Sequence, residues 1–214
     1  MTTLITGANR GVGAALHDRL SRDDRVIGTH RDAPRAGWLR LDVANPDSVA
    51  EMARAVGDDP LDLLVCNAGI YEDRGMDLDD GYPADLWARE FAVNVTGVFL
   101  TVQALLPNLR AARGKIAIVS SQMGSSEIAS GGAYIYRASK AAALNLGRNL
   151  AVDLERDGIA VGIYHPGWVQ TDMGGTGASI TPEASAEGLA ARFAALSLDS
   201  TGCFETWDGR AHPF

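Results

Sequence analysis

The chain places Lys140 four residues after Tyr136, in the run Tyr136-Arg137-Ala138-Ser139-Lys140. Lysine is scarce, Lys115 and Lys140 being the only two, against five tyrosines. On a helix, this spacing puts both side chains on one face, a turn apart. An ammonium beside a phenol favours the phenolate and draws its pKa below the usual value of about 10. Tyr136 is therefore a candidate acid/base and Lys140 its tuning group. A surface tyrosine and a solvated lysine remain the alternative that the spacing alone leaves open. Tyr134 is a rival, but four places after it stands Ala138.

A second chemistry is written near the start. Thr6-Gly7-Ala8-Asn9-Arg10-Gly11-Val12-Gly13 follows a short apolar run and precedes a helical pattern. Gly7, Gly11 and Gly13 permit a tight turn, close approach of a pyrophosphate and packing of helix on strand. The N–H groups at the helix start, with Asn9 and Val12 in the same turn, suit an anion. An ordinary strand-to-helix turn is the alternative. Where dinucleotide folds place an acid to hold a ribose 2′-hydroxyl, at the end of the second strand, this chain has His30, followed by Arg31 and Asp32. Arg31 and Arg10 could clamp a 2′-phosphate by charge-assisted bonds. The preferred cofactor is therefore NADP(H), with NAD(H) as the alternative. Asp32 is the residue that weakens the preference if the alignment slips by one.

These groups need elements to position them. Apolar runs at Thr2–Thr6, Arg25–Thr29, Trp38–Leu41, Leu61–Cys66, Lys115–Ser120, Ile159–Tyr164 and Cys203–Trp207 read as seven strands. Helical patterns at Val12–Leu20, from Asn45-Pro46, at Pro83–Leu106, at Tyr136–Glu155 and from Thr181-Pro182 alternate with them. In Pro83–Leu106 the apolar stripe is Trp87, Phe91, Val95, Val98 and Val102. Such alternation predicts an α/β fold, a doubly wound parallel sheet of the Rossmann type with helices on both faces, in one domain spanning 1–214. Gly174–Ser179 is the one flexible stretch and suits a lid.

Composition narrows the function. A length of 214 residues, 46% hydrophobic, is that of an ordinary globular chain, and the net charge of −8 argues against nucleic-acid or anionic-membrane partners. No leader is evident and no apolar run reads as long enough for a membrane span. Cys66 and Cys203 read as reduced thiols of a cytoplasmic protein, and the four histidines show no metal-binding spacing.

With the strands in place, the motifs Thr6–Gly13, Asp42-Val43, Asn67-Ala68-Gly69, Asn94, Ser121, Tyr136/Lys140 and Pro166-Gly167-Trp168-Val169-Gln170-Thr171 resemble, in order and spacing, those of the single-domain short-chain dehydrogenase/reductases. Within that family, Ser120–Gly124, Tyr136–Lys140 and His165–Gly175 are most like the C-factor and sniffer-type carbonyl reductases.

The resemblance implies roles residue by residue. Asp42 would bond the adenine amino group and Val43 lie beside the ring. Asn67, Ala68 and Gly69 would border the cofactor, as would Pro166, Gly167, the Val169 backbone and Thr171. Asn94, Ser121, Tyr136 and Lys140 would be the catalytic set. Asn94 would kink its helix and hold a water linked to Lys140. Ser121 stands fifteen residues before Tyr136 rather than the family's thirteen, where Met123 falls, and implies a loop two residues longer within Ser125–Ala133. Ser120 is the fallback.

The implied reaction is hydride transfer between a nicotinamide and a small ketone, aldehyde or alcohol. Tyr136 would move the proton and Lys140 hold the nicotinamide ribose. Tyr71, Met123, Tyr134, Trp168, Met173 and Phe214 are candidate pocket lining, and no charged constellation points to a charged substrate. A homodimer or homotetramer built on the two long helices is implied. The competing reading is a dinucleotide-binding signalling or sensor protein with little turnover. A sugar-nucleotide epimerase is discounted, because the chain lacks the extra substrate domain.

Overall fold

The computed structural model describes residues 1–32, 35–79, 81–175 and 177–214. Seven parallel strands form one sheet: β1 (Thr2–Ile5), β2 (Arg25–His30), β3 (Leu39–Arg40), β4 (Leu63–Cys66), β5 (Lys115–Val119), β6 (Ala160–His165) and β7 (Phe204–Thr206). Their order is β3-β2-β1-β4-β5-β6-β7. The order reverses between β1 and β4, so a crevice opens at their carboxyl ends, where such sheets bind ligands.

Six helices are laid over it: α1 (Gly11–Leu20), α2 (Pro46–Val56), α3 (Ala84–Phe91), α4 (Gly97–Ala112), α5 (Tyr134–Leu154) and α6 (Pro182–Ala195). Strand side chains alternate between two apolar cores. Leu4, Leu64, Ile116, Ile118, Val161 and Ile163 meet Val102, Leu105 and Leu144 on one face. Ile5, Leu63, Val65, Ala117 and Tyr164 meet Leu16, Leu189 and Phe193 on the other. Both faces of the central strands are thus covered, which is why their sequences are near-continuous apolar runs. Asn45 caps α2 through its side-chain oxygen and Thr181 caps α6, each with proline in the first turn.

Two features depart from the expected elements. The helix expected to end at Leu106 continues through Pro107 to Ala112. Leu105 and Leu109 are fully buried and Asn108 donates to the Gly57 and Asp59 carbonyls, so tertiary anchoring outweighs the local break. A π-helical turn, Ala92–Thr96, also joins α3 to α4. Its extra residue shifts the inward face. Through α3 and the turn, the buried side chains are Leu86, Glu90 and Asn94, whereas Trp87, Phe91 and Val95 of the expected stripe are half-buried.

The joined segment Ala84–Ala112 spans 29 residues. By length and composition alone it could cross a membrane, which corrects the expectation that no such segment exists. Val98, Val102, Leu105 and Leu109 nonetheless pack into the core beneath the sheet. Cys66 and Cys203 are both free.

Candidate active site

A cleft of about 410 Å³ opens over the carboxyl ends of β1, β2, β4, β5 and β6. Gly7, Asn9, Arg10, Gly11, Val12 and Gly13 form one wall, with His30, Arg31, Asp32, Asp42 and Val43 at one end. Asn67, Ala68 and Gly69 border the middle, and Tyr136, Lys140, Pro166, Thr171, Asp172 and Met173 the other end. Residues scattered from position 7 to position 173 are therefore gathered along one trough.

The glycine turn is shaped by close approach. Gly7 and Gly11 have φ of +65° and +53°, where other residues are strained. A Cβ at Gly13 would lie 2.2 Å from the Gly7 carbonyl and 2.5 Å from Asn67 Nδ2. That amide donates to the Thr6 and Gly7 carbonyls at 3.0 Å each, and Thr6 Oγ1 accepts from the Asn67 and Ala68 N–H groups. Asn67 thus holds the turn through its side chain as well as its backbone. No side chain caps the start of α1. Its first N–H groups and positive dipole end face the trough, which fits a pyrophosphate.

At the ribose end, His30 ends β2 as expected, and its Nδ1 accepts from the Asp32 N–H at 3.2 Å. Arg31 is exposed, and Arg40 reaches back to its carbonyl at 3.1 Å. Arg10 contacts Asp172 across the mouth of the cleft at 3.3 Å. Sequence reasoning missed both Arg40 and Asp172, since neither belongs to a motif and only the fold brings them to this rim. Asp42 Oδ1 accepts from the Ala44 N–H, shaping its own loop. Val43 packs on Gly97, where a Cβ would stand 2.9 Å away.

Gly167 and Val169 do not border the cleft, and neither do Asn94 and Ser121 of the expected catalytic set. Gly167 has φ +88° and gives way to Ile180 and Trp207, while Val169 is buried and bridges to Ile180. The stretch expected to be flexible is tied at both ends. Trp168 Nε1 donates to the Gly174 carbonyl at 2.9 Å and Gln170 to that of Ala178 at 3.0 Å. Position 176 lies outside the described residues.

Tyr136 and Lys140 are in the first two turns of α5, 7% and 5% exposed, with the ammonium 5.7 Å from the phenol ring centre. Lys140 Nζ donates to the Val119 carbonyl at 3.1 Å. Asn94, in the π turn, accepts from the Ile70 N–H and donates to the Ile70 carbonyl and Ser139 Oγ, all at 2.9 Å. Gly69 lies between these groups, where a Cβ would come 3.3 Å from both Asn94 Oδ1 and Lys140 Nζ.

Ser121 caps a short turn, Gln122–Gly124, accepting from the Met123 N–H at 3.1 Å. It stands beside Tyr136 and is the neighbour that favours the phenolate. Ser120 instead donates to the Lys140 carbonyl at 3.1 Å. Its hydroxyl is thus engaged in holding α5, and Ser121 is the serine at the phenol.

Electrostatics reverse one expectation. The phenol of Tyr136 is pushed above its ordinary value, because burial disfavours the phenolate more than Ser121 favours it. Burial likewise pushes Lys140 down to about 8. Lys140 lies over the ring, so it does not outweigh desolvation.

The expected pocket residues divide. Met173 borders the cleft and Tyr71 stacks on Tyr136 with ring centres 4.2 Å apart, while Met123 is half-buried and Tyr134, Trp168 and Phe214 are exposed, none of these four bordering the cleft.

With this arrangement in view, the comparisons agree. The chain belongs to the short chain dehydrogenase family, whose model matches residues 1–179, and it is an oxidoreductase of that class. It is 38% identical over 157 residues to the C-signal of Myxococcus xanthus, covering 72% of this chain and 93% of that protein. It is 34% identical to the 1-hydroxy-2-glutathionyl-2-methyl-3-butene dehydrogenase of Rhodococcus sp. strain AD45, over 97% of each. An NADPH-bound carbonyl reductase from chicken fatty liver superposes with a TM-score of 0.91 at 29% identity, covering 100% of this chain and 98% of that one.

Proposed function

We propose that the protein is an NADP(H)-dependent oxidoreductase that reduces a small ketone or aldehyde, or oxidises the matching alcohol. The observation that carries this is that Tyr136 and Lys140 sit at one end of a trough whose wall is the glycine turn, with Ser121 beside the phenol. The uncapped start of α1 and the glycines that admit close approach fit a dinucleotide, and a bound nicotinamide would supply or accept the hydride.

The chain's own groups do the rest. Tyr136 Oη gives a proton to the carbonyl oxygen as it becomes an alkoxide, and takes it back in the reverse direction. The phenol carries its proton at neutral pH, the form the reducing direction needs; burial makes it a weaker acid, which the Ser121 hydroxyl offsets in part. Ser121 donates to the same oxygen, where negative charge develops. Lys140 holds the ribose and supports the proton's replacement, and Asn94 fixes Gly69 and Ile70 beneath it. Asn9, Gly11, Val12 and Gly13 seat the phosphates, with Asp42, Val43, Asn67, Ala68 and Gly69 along the rest of the dinucleotide and Pro166 and Thr171 at its nicotinamide end. Arg10 and Arg31, with His30 in place of an acid, favour a 2′-phosphate. The NADPH carried by the chicken carbonyl reductase supports this preference.

We also propose that residues 1–214 are one nucleotide-binding domain, working as a homodimer or homotetramer in the cytoplasm, where free Cys66 and Cys203 stay reduced. The test is loss of NADPH absorbance with a panel of aldehydes, ketones and quinones. Turnover of at least one supports the proposal, and no turnover with any contradicts it. The likeness to the C-signal favours a second reading, a dinucleotide-binding signalling protein. NADPH binding without turnover, with a partner captured in one cofactor state only, would select it.

A further inference from the structure

Two carboxyl groups are buried behind Tyr136, and the proposed reaction uses neither. Glu90, on α3, is fully buried. Its Oε1 accepts from the Glu72 and Asp73 N–H groups at 2.7 and 3.2 Å, while its Oε2 has no hydrogen-bond partner among the described residues. Asp73 is also fully buried. Its Oδ2 accepts from the Ile135 N–H at 2.7 Å and the Tyr136 N–H at 3.4 Å, and its Oδ1 has no partner among the described residues.

These bonds form a continuous support. The residue before α5, Ala133, offers no side-chain cap, so Asp73 caps the helix from a loop 62 residues earlier. Glu90 and Asn94 stand one turn apart and clamp the stretch from Ile70 to Asp73, Asn94 at its start and Glu90 at its end. Lys140, one turn beyond Tyr136, is a buried ammonium that donates to the Val119 carbonyl and has no ion-pair partner among the described residues. A buried ammonium needs negative charge nearby to stay protonated.

We propose that Glu90 and Asp73 are positioning residues for the Tyr136–Lys140 pair, and that Glu90, one turn from the Asn94 that shares the Gly69 contact with Lys140, is also the counter-charge of that ammonium. Asp73 sets the first turn of α5, and Glu90 sets Asp73 and acts past Asn94 on Lys140. The electrostatics run the same way. Burial lowers Lys140, and among the described residues Glu90 is the charged group that raises it against that. Burial, with Asp73 and Glu72 nearby, holds Glu90's own carboxyl above the usual range. The other groups near Glu90 are Tyr71 from the loop, Tyr136 from α5 and Arg89 from its own helix. Arg89 is engaged outward with Glu72 at 2.6 Å and Asp85 at 3.8 Å. The proposal takes Tyr136 and Lys140 as the site but needs no particular substrate.

With only two lysines, 13Cε-lysine NMR resolves Lys140 from Lys115, and Lys115→Arg assigns them. Burial is expected to bring the wild-type Lys140 midpoint down to about 8. Glu90→Gln keeps an acceptor for the two N–H groups and removes the charge, and should lower the Lys140 midpoint by about half a pH unit or more, leaving Lys115 unmoved. An unmoved Lys140 in folded Glu90→Gln overturns the proposal. A second measurement needs no variant. The Glu90 13Cδ resonance of the wild type must be that of a carboxylate before Lys140 loses its proton, and a Glu90 still protonated there overturns it too. Asp73→Asn, which keeps a capping oxygen, should leave the melting temperature near wild type, whereas Asp73→Ala should lower it and kcat together. Equal melting of the Asn and Ala variants contradicts the cap. The titrations use neither cofactor nor substrate, so they can succeed even if the carbonyl-reductase assay fails.

Discussion

The ring of Tyr71 lies stacked on that of Tyr136, with centres 4.2 Å apart and planes 23° from parallel. The Arg74 guanidinium stands over Tyr71 at 5.6 Å and donates to the Gly174 carbonyl at 3.3 Å. The phenol proposed to move the proton is thus braced by a residue from the β4 loop, itself linked to the loop after β6. An aromatic pair of this kind is worth about 0.5–1.5 kcal/mol beyond its buried area. Tyr71→Ala should lower stability by about 1 kcal/mol and kcat/KM by roughly 3- to 10-fold, while Tyr71→Phe stays near wild type. Steady-state kinetics beside thermal melts check this.

Gly69 separates Asn94 from Lys140 by less than a methyl group needs. Gly69→Ala should push the lysine from its seat. Misplacement of a catalytic group costs up to about 100-fold, so kcat should fall roughly 10- to 100-fold. The melting temperature should move little, since the side chain that yields is flexible at its end. The pair of measurements distinguishes displaced chemistry from a damaged fold.

Cofactor preference is carried by the rim. Arg31→Ala should weaken NADPH binding by roughly 10-fold or more, as loss of a charge-assisted bond requires, and NADH binding hardly at all. Asp172 holds Arg10 by an exposed ion pair, worth about 0–1 kcal/mol. Asp172→Asn should therefore tighten NADPH by at most about 5-fold. Fluorescence titrations with both cofactors read this, and equal losses for NADPH and NADH in Arg31→Ala contradict the 2′-phosphate clamp.

Lys140 also sets a pH dependence of stability. Its folded value of about 8 lies below the ordinary 10.5. Between these values the unfolded chain holds a proton that the folded chain has lost, so the contribution of Lys140 to stability rises with pH across that window, opposed above about pH 9 by the buried Cys66 thiol, which keeps its proton in the folded chain. Below about 8 both states are protonated and the burial penalty is felt in full. Lys140→Met should remove that slope and raise stability at neutral pH by about 1–3 kcal/mol while abolishing turnover. The difference between wild-type and Lys140→Met denaturant melts from pH 7 to 10.5 checks the sign.

Much of this was legible in the residues. Lys115–Val119 and Ala160–His165 are strands buried on both faces, so their apolar runs announce them. The glycine turn is equally plain, because Gly7, Gly11 and Gly13 are demanded by backbone contacts that other residues cannot make. Glu90 and Asp73 were not legible. An acid in a helix reads as a solvated face, and what buries Glu90 is a loop from earlier in the chain whose N–H groups it satisfies. The same helix misleads at Trp87, Phe91 and Val95, whose spacing marks the most apolar line, while the inward line is Leu86, Glu90 and Asn94. Periodicity does not foresee the π turn, and Pro107 reads as a helix end until Asn108 finds its carbonyls.

The central claim is that Tyr136 moves the proton while the rest of the chain binds and positions. Tyr136→Phe tests it most directly, with NADPH affinity by fluorescence and NADPH consumption measured on the same sample against a carbonyl the wild type reduces. Bound NADPH at near-wild-type affinity, with turnover reduced by about 100-fold or more, is the predicted result. Turnover within a few-fold of wild type, with the cofactor still bound, would contradict the account.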